Sequence, residues 1–339
     1  MYNKRLNFKN EIKNFFVSTS ENINVVKLGV YKLKHAFLIM AHNNFDLLKI
    51  LLKAIDFEHH DIYIHIDLNA GDLDFSELKN TCSHSNLYFM QRRTSNWGTY
   101  EQVEVEIALF ELAYQAKEDY RYYHLLSGND FLLKSASSIY NYFESSYPHE
   151  FLDFAVLEGK TSDSGILPEV DDCFLNRIKF FHPIVSSSKL GRKNFSRISR
   201  LFEIVQTVLL VDRTKHSDYS KFQKGQNWCS VSQRFVEILM NSYYNGDIYR
   251  NYHSGIFVDE LYKQTLFINS NLYHTFKISE YKSNLRYVDW DRGEPYTFKN
   301  SDVKELSLLD DFLFVRKLDQ TDNCALANKL LALISERQS

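Results

Sequence analysis

Cysteine is scarce in this chain, and its thiols are scattered. Four occur in 339 residues, Cys82, Cys173, Cys229 and Cys324, and no two form a C-x-x-C pair. Such spacing argues against a zinc site, and a chain this long needs no disulfide framework to build a core. A reducing compartment is expected. Proline (4) and glycine (11) are sparse as well, and no Pro- or Gly-rich linker divides the chain. No run of about 18 apolar residues is present, so no transmembrane helix is expected. Lys4, Arg5, Lys9 and Lys13 are followed by no uninterrupted apolar stretch, so no secretory signal is expected either. Charge of one sign is also lacking. The net charge is −3, and without a global basic field nucleic acid is not an expected partner.

Aromatics are abundant, 15% of residues, with 22 Tyr and 26 Phe. A tyrosine offers a flat apolar face and a polar tip, which suits stacking on sugars or bases. One local charge cluster stands out. Lys189, Arg192, Lys193, Arg197 and Arg200 fall together with no acid among them. It reads as a solvated basic loop or as a contact for an anionic membrane surface or an acidic substrate.

The chain is organised around residues 122–135, YYHLLSGNDFLLKS. An apolar, aromatic run breaks into Ser127-Gly128-Asn129-Asp130 and then resumes. That is a buried strand ending in a tight polar turn. Before it come apolar runs at Ala36–Met40, Ile62–Ile66 and Leu87–Met90. Between them lie helical patterns at Phe45–Ile55 and Tyr100–Lys117. Asn43 or Asn44 is expected to cap the first helix. This alternation predicts an α/β fold with a mainly parallel, Rossmann-like sheet flanked by helices. His42, Asp67, Trp97 and Asp130 each follow a strand, so each can face the crevice at the strands' carboxyl ends. Further on, a helix is expected over Ala136–Phe143, a strand over Glu150–Val156 and a loop-like region over Glu158–Arg200. A strand at Trp228–Val231 leads into a helix from about Ser232, and Asp259-Glu260 opens another. Asn284–Trp290 alternates as a strand, and Leu313–Leu318 carries Arg316-Lys317. Residues 1–31 read as a variable extension and 32–335 as one catalytic domain.

Taken together, Ile64-His65-Ile66-Asp67, Trp97-Gly98, residues 124–131 (HLLSGNDF), Trp228, Asp259-Glu260, residues 285–290 (LRYVDW) and Phe314-Val315-Arg316-Lys317 form a set. In their order, the set resembles the core-2/I-branching β-1,6-N-acetylglucosaminyltransferase family, which includes peptide O-xylosyltransferases. The resemblance runs from about residue 35 to 320. It implies a GT-A-type fold holding a UDP-sugar, and an inverting transfer that needs no divalent metal or other cofactor. The chain lacks the anchor and paired cysteines of the animal enzymes and looks like a bacterial cytoplasmic relative.

Inversion needs one base to take the acceptor proton and a positive environment for the departing UDP. Glu260 matches the family's base, and Asp259 is expected to cap the helix there. Lys317 matches the family lysine on the diphosphate. Arg292 lies near its second cation, with Arg316 as a further candidate. Asp67 is expected near the uridine. His42 and Trp97 are expected to wall the donor pocket, Ser127 and Gly128 to belong to the donor or acceptor pocket, and Asp130 to meet the donor sugar or support the loop. Trp290 is similar to a family tryptophan of the acceptor site. No metal ligands are expected, since the strand-end turn holds one carboxylate where most such folds have an Asp-x-Asp pair.

The expected function is transfer of GlcNAc from UDP-GlcNAc to a hydroxyl of a carbohydrate or glycolipid acceptor. The expected setting is surface polysaccharide or lipooligosaccharide synthesis, in the cytoplasm or at the inner face of the membrane, with peripheral contact through Lys189–Arg200. The alternatives are UDP-xylose, UDP-glucose or UDP-galactose as donor, or a non-catalytic nucleotide- or carbohydrate-binding module.

Overall fold

In the computed structural model of the chain, residues 33–71, 75–155, 172–182, 192–275 and 283–336 are described. The expected extension, 1–31, lies outside them, as does much of Glu158–Arg200. The strands are β1 (Lys34–Ala41), β2 (His60–Ile66), β3 (Asn86–Phe89), β4 (Tyr120–Ser127), β5 (Asp130–Leu132), β6 (Cys229–Ser232), β7 (Arg286–Val288) and β8 (Phe314–Arg316). The first sheet runs β3-β2-β1-β4-β6, parallel except for β6. A second, small sheet runs β5-β8-β7.

The apolar runs form this sheet because it is covered on both faces. Along β1, Phe37, Ile39 and Ala41 pack into one core. Ala36, Leu38 and Met40 pack into the other. Continuous apolar strands are what a parallel sheet between two helical layers requires. Helix α1 (Phe45–Ile55) covers the first face with Leu47, Leu48, Leu51, Leu52 and Ile55, all buried. Truncating one of these to alanine costs about 2–5 kcal/mol. Helices α3 (Tyr100–Tyr114) and α7 (Gln233–Tyr244) cover the other face. In sequence α2 (Phe75–Lys79) precedes α3, and α4 (Ala136–Ser146), α5 (Asp172–Lys179) and α6 (Arg192–Val208) lie between α3 and α7.

Four expectations need correction. Asn44 stands at the start of α1, but in the left-handed region (φ 55) and with no side-chain cap; its amide instead donates to Asn129 Oδ1 at 3.3 Å. The Glu158–Arg200 region is not all loop, since α5 and the start of α6 fall in it. The strand expected at Glu150–Val156 reduces to one bridge, Phe151 to Ser230. The strand expected over Asn284–Trp290 is only Arg286–Val288 long.

Candidate active site

In the order β3-β2-β1-β4 the direction of winding reverses between β1 and β4, and that switch point is where open α/β sheets bind ligands. The chain ends of these strands are tied together there. Asp67 N donates to Ala41 O, Gly128 N to Met40 O and Leu318 N to Asn129 O, each at 2.8 Å. His42, Asp67, Ser127–Asp130 and Arg316-Lys317 therefore gather at one crevice.

Gly128 is required by packing. A Cβ on it would stand 2.9 Å from Ala41 Cβ and 3.3 Å from Ala41 Cα. Ser127 and Asp130 are 4% and 1% exposed. The Asp130 carboxylate accepts from Ser127 N at 2.9 Å and from Arg316 Nη1 at 2.8 Å. Of the two roles expected for Asp130, loop support is the one its contacts serve. Asp67 is also buried and holds loops: its carboxylate accepts from Asn69 N and Ser95 N, each at 2.7 Å. His42 stands at the exposed lip. Partial burial pushes its imidazole below the ordinary range; Asp67 opposes this, and Arg316 and Lys317 add to it.

Arg316 lies over the Trp228 ring at 4.6 Å while it pairs with Asp130. Lys317, half-buried beside it, has no carboxylate partner among the described residues. Arg292 sits differently. It pairs with Asp289, with Glu305 at 2.6 Å and with Asp302 at 3.8 Å, and it stacks on Tyr296 at 4.4 Å. Its charge is thus met by three carboxylates of its own neighbourhood.

Glu260 closes a short 3₁₀ turn, Val258–Glu260, just before α9 (Tyr262–Ile268); α8 (Asp247–Tyr252) precedes it. Its Oε2 takes Arg177 Nη1 at 2.8 Å and Lys224 Nζ at 3.3 Å. No hydrogen bond to Oε1 is formed among the described residues. The side chain is one-third exposed (34%), so a hydroxyl can reach it. Trp97 belongs to the same neighbourhood. Phe257 N donates to Gly98 O at 2.9 Å, and the Trp97 and Phe257 rings meet edge to face at 4.8 Å. Trp97 and Trp290 are 74% and 57% exposed, so neither is a core aromatic. Both offer faces on which a sugar can stack. Lys224 and Trp228 join the two halves of the site. They are four residues apart, so their Cα atoms lie at most about 14 Å from each other.

Asp259 is not the expected helix cap. Its Oδ2 accepts from Gln102 Nε2 at 2.9 Å, its Oδ1 has no partner, and it is buried. Beneath the Glu260 turn it joins a buried polar network. Glu106 and Lys263, both 0% exposed, pair at 2.8 Å. Tyr262 Oη donates to Glu106 at 2.9 Å, and Asn227 bonds both Glu106 and Lys263. Burial raises the Asp259 carboxyl above the usual carboxylate range, and the nearby charges of Glu106 and Glu260 raise it further. The network ties α3, the Asn227 loop and α9 into one support for Glu260.

Arg177, Lys224, Glu106 and Lys263 are the functional neighbours that local sequence patterns do not reveal. A lone Glu in the apolar face of α3 is the single signal among them. Among the described residues, no group of three His, Cys, Asp or Glu side chains is arranged to hold a metal ion. No helix among them is long and apolar enough to cross a membrane.

The sequence profile described as "Core-2/I-Branching enzyme" matches residues 35–309, and Arg316 and Lys317 lie just past its end. No curated protein matches the chain. Among solved structures, mouse xyloside xylosyltransferase 1 in its apo form is similar at 10% identity and TM-score 0.34, covering 83% of this chain and 96% of that one. Core-mannan synthase A of Aspergillus fumigatus, in a Mn/GDP form, is similar at 10% identity and TM-score 0.32, covering 69% of each chain. With its mainly parallel sheet between helices and a profile match over most of its length, the chain belongs to the Core-2/I-Branching enzyme family and is a glycosyltransferase that draws on a nucleotide-sugar donor.

Proposed function

We propose that the chain moves a single sugar, GlcNAc first among the candidates, from a UDP-sugar to a hydroxyl of a carbohydrate acceptor, with inversion and without a divalent ion. The observation that carries this is Lys317. A half-buried ammonium without a carboxylate partner among the described residues, at the strand-end crevice, is a cation kept available for an anion. Arg316 stands next to it, flattened on Trp228. A diphosphate in the crevice would take its charge compensation from these two side chains, a point charge and a planar fork. The donor set does not suit a divalent ion. Asp130 is the single carboxylate of the turn and is engaged by Arg316, and Asp67 uses its oxygens on backbone N–H groups.

In this reading Glu260 Oε1 takes the acceptor proton as the hydroxyl oxygen bonds to C1 and the C1–O bond to UDP breaks. The electron pair leaves on the diphosphate, next to Lys317 and Arg316. Arg177 and Lys224 fix the other oxygen, so the carboxylate does not rotate away. Asp67 and His42 border the nucleotide, Ser127, Gly128 and Asp130 shape the floor, and Trp97 and Trp290 hold sugar rings. Arg292, saturated by acids, has a structural part in this reading. The acceptor belongs to a surface polysaccharide or lipooligosaccharide, made in the cytoplasm or at the membrane face, where the basic cluster from Lys189 to Arg200 contacts anionic lipid.

The test is UDP release from a panel of UDP-sugars, with and without simple sugar acceptors. UDP-GlcNAc is expected to turn over fastest. Faster release from UDP-xylose, UDP-glucose or UDP-galactose would replace the donor. Tight UDP binding with no turnover of any donor would make the protein a binding module.

A further inference from the structure

Over residues 199–208, the helix α6 (Arg192–Val208) presents its polar side to the body and its apolar side outward. Gln206 is buried, and its amide is paired with the Phe181 backbone. Phe181 N donates to Oε1 at 2.8 Å, and Nε2 donates to Phe181 O at 2.9 Å. On the other side Leu201, Ile204, Val205 and Val208 are 61%, 53%, 48% and 77% exposed. Leu209 and Leu210, just past the helix, are 69% and 87% exposed. Single exposed apolar side chains need no explanation, but a contiguous row of this length does.

In the sequence, cations flank the row at both ends. From Arg192 to His216 the sequence has six Lys and Arg against two acids, Glu203 and Asp212. Four of the six, Arg192, Lys193, Arg197 and Arg200, precede Leu201 in the sequence. Arg200 is exposed. Beyond the apolar end come Arg213, Lys215 and His216. The Arg213 guanidinium bonds the carbonyls of Ile178 and Arg250, each at 3.2 Å, and no carboxylate among the described residues pairs with it. A second copy of the chain packed on this face by a two-fold axis would set the same patch, cations included, against itself. An anionic bilayer meets both features at once: hydrocarbon takes the row, and lipid phosphates take the flanking cations.

We propose that the outward face of Leu201–Val208, continued by Leu209 and Leu210, docks on an anionic membrane surface with its apolar row inserted at the headgroup boundary. This goes beyond the electrostatic contact of the basic cluster, and it does not depend on the roles given to Glu260 and Lys317. Flotation of the full chain with vesicles tests it, because flotation is read without any transfer activity. Phosphatidylcholine vesicles containing phosphatidylglycerol are expected to carry the protein, and pure phosphatidylcholine to carry much less. The triple variant Leu201→Ser, Ile204→Ser, Val208→Ser is expected to keep its circular dichroism and UDP binding while vesicle partition falls at least about tenfold. These side chains already face solvent, so the fold does not need them. Unchanged flotation of the variant would overturn the proposal. So would binding that is abolished by about 0.5 M salt yet indifferent to the serines, since charge alone then suffices. A wild-type dimer that becomes monomeric in the variant, with neither form floating, would assign the face to a second copy and overturn it too.

Discussion

Replacing His60 with leucine should make the protein lose less stability in acid. His60 lies in β2 and is fully buried. Its Nδ1 donates to Ile55 O at 2.9 Å, and its Nε2 has no partner. The ring stacks on His35 at 5.9 Å and tilts against Phe37 at 4.6 Å. Nothing here welcomes a second proton, and burial pushes the imidazole down to about 3. In the unfolded chain the same ring titrates near 6.5, as an ordinary histidine does. Between these values the unfolded state binds the extra proton and the folded state does not. Stability is therefore intact above about pH 6.5 and falls as the pH drops from there towards 3, by about 1.4 kcal/mol per unit. Going from pH 8 to pH 5 costs about 2 kcal/mol through this one residue. Leucine removes that proton. It also loses a hydrogen bond and ring contacts, but that penalty is the same at both pH values and cancels in the difference. The raw pH profile of the wild type does not isolate His60. His35 and His124 are pushed down in the same way. Half-buried Glu150, raised to about 7 mainly by desolvation, contributes stability that grows as the pH falls from there. The assay is urea unfolding of both proteins at pH 8 and pH 5. The variant's stability relative to wild type should be about 2 kcal/mol more favourable at pH 5 than at pH 8. An equal difference at both pH values would refute the reasoning.

Three further outcomes are expected. Glu260→Gln should lower the transfer rate about 10²–10⁴-fold while UDP binding persists; near-normal turnover would rule Glu260 out as the base. Lys317→Ala should weaken UDP binding by roughly 10- to 100-fold in titration calorimetry, the worth of one charge-assisted contact; a change confined to acceptor affinity would contradict the diphosphate role. Gly98→Ala should lower stability by about 1–3 kcal/mol, because Gly98 has φ +78 and a Cβ there would come within 2.6 Å of the Phe257 ring. An unchanged melting temperature would show that Gly98 does not pack against the Phe257 ring as described.

The first half of the fold is legible because its signals are local. Helix α1 begins and ends at Phe45 and Ile55, as its apolar spacing predicts. β1, β2 and β4 are buried on both faces, so their apolar runs need no partner to be recognised. The second half fails where partners are distant. The two cations on Glu260 come from 83 and 36 residues earlier in the chain, and no spacing announces them. Asp259 looks like a cap because acids favour helix starts; its actual partner, Gln102, lies 157 residues away. For Arg292 even near partners are hard to read: its ion pairs with Asp289, Asp302 and Glu305 are not announced by any motif. The start of α6, to Arg200, reads as loop because a basic run fills it, and the apolar stripe that follows faces outward, away from any core.

The measurement that bears most directly on the central claim is UDP-sugar turnover after exhaustive treatment with EDTA. If Lys317 and Arg316 carry the charge of the departing diphosphate, the rate is unchanged by the chelator and falls sharply in Lys317→Ala. Activity that disappears with EDTA and returns with manganese would contradict the account.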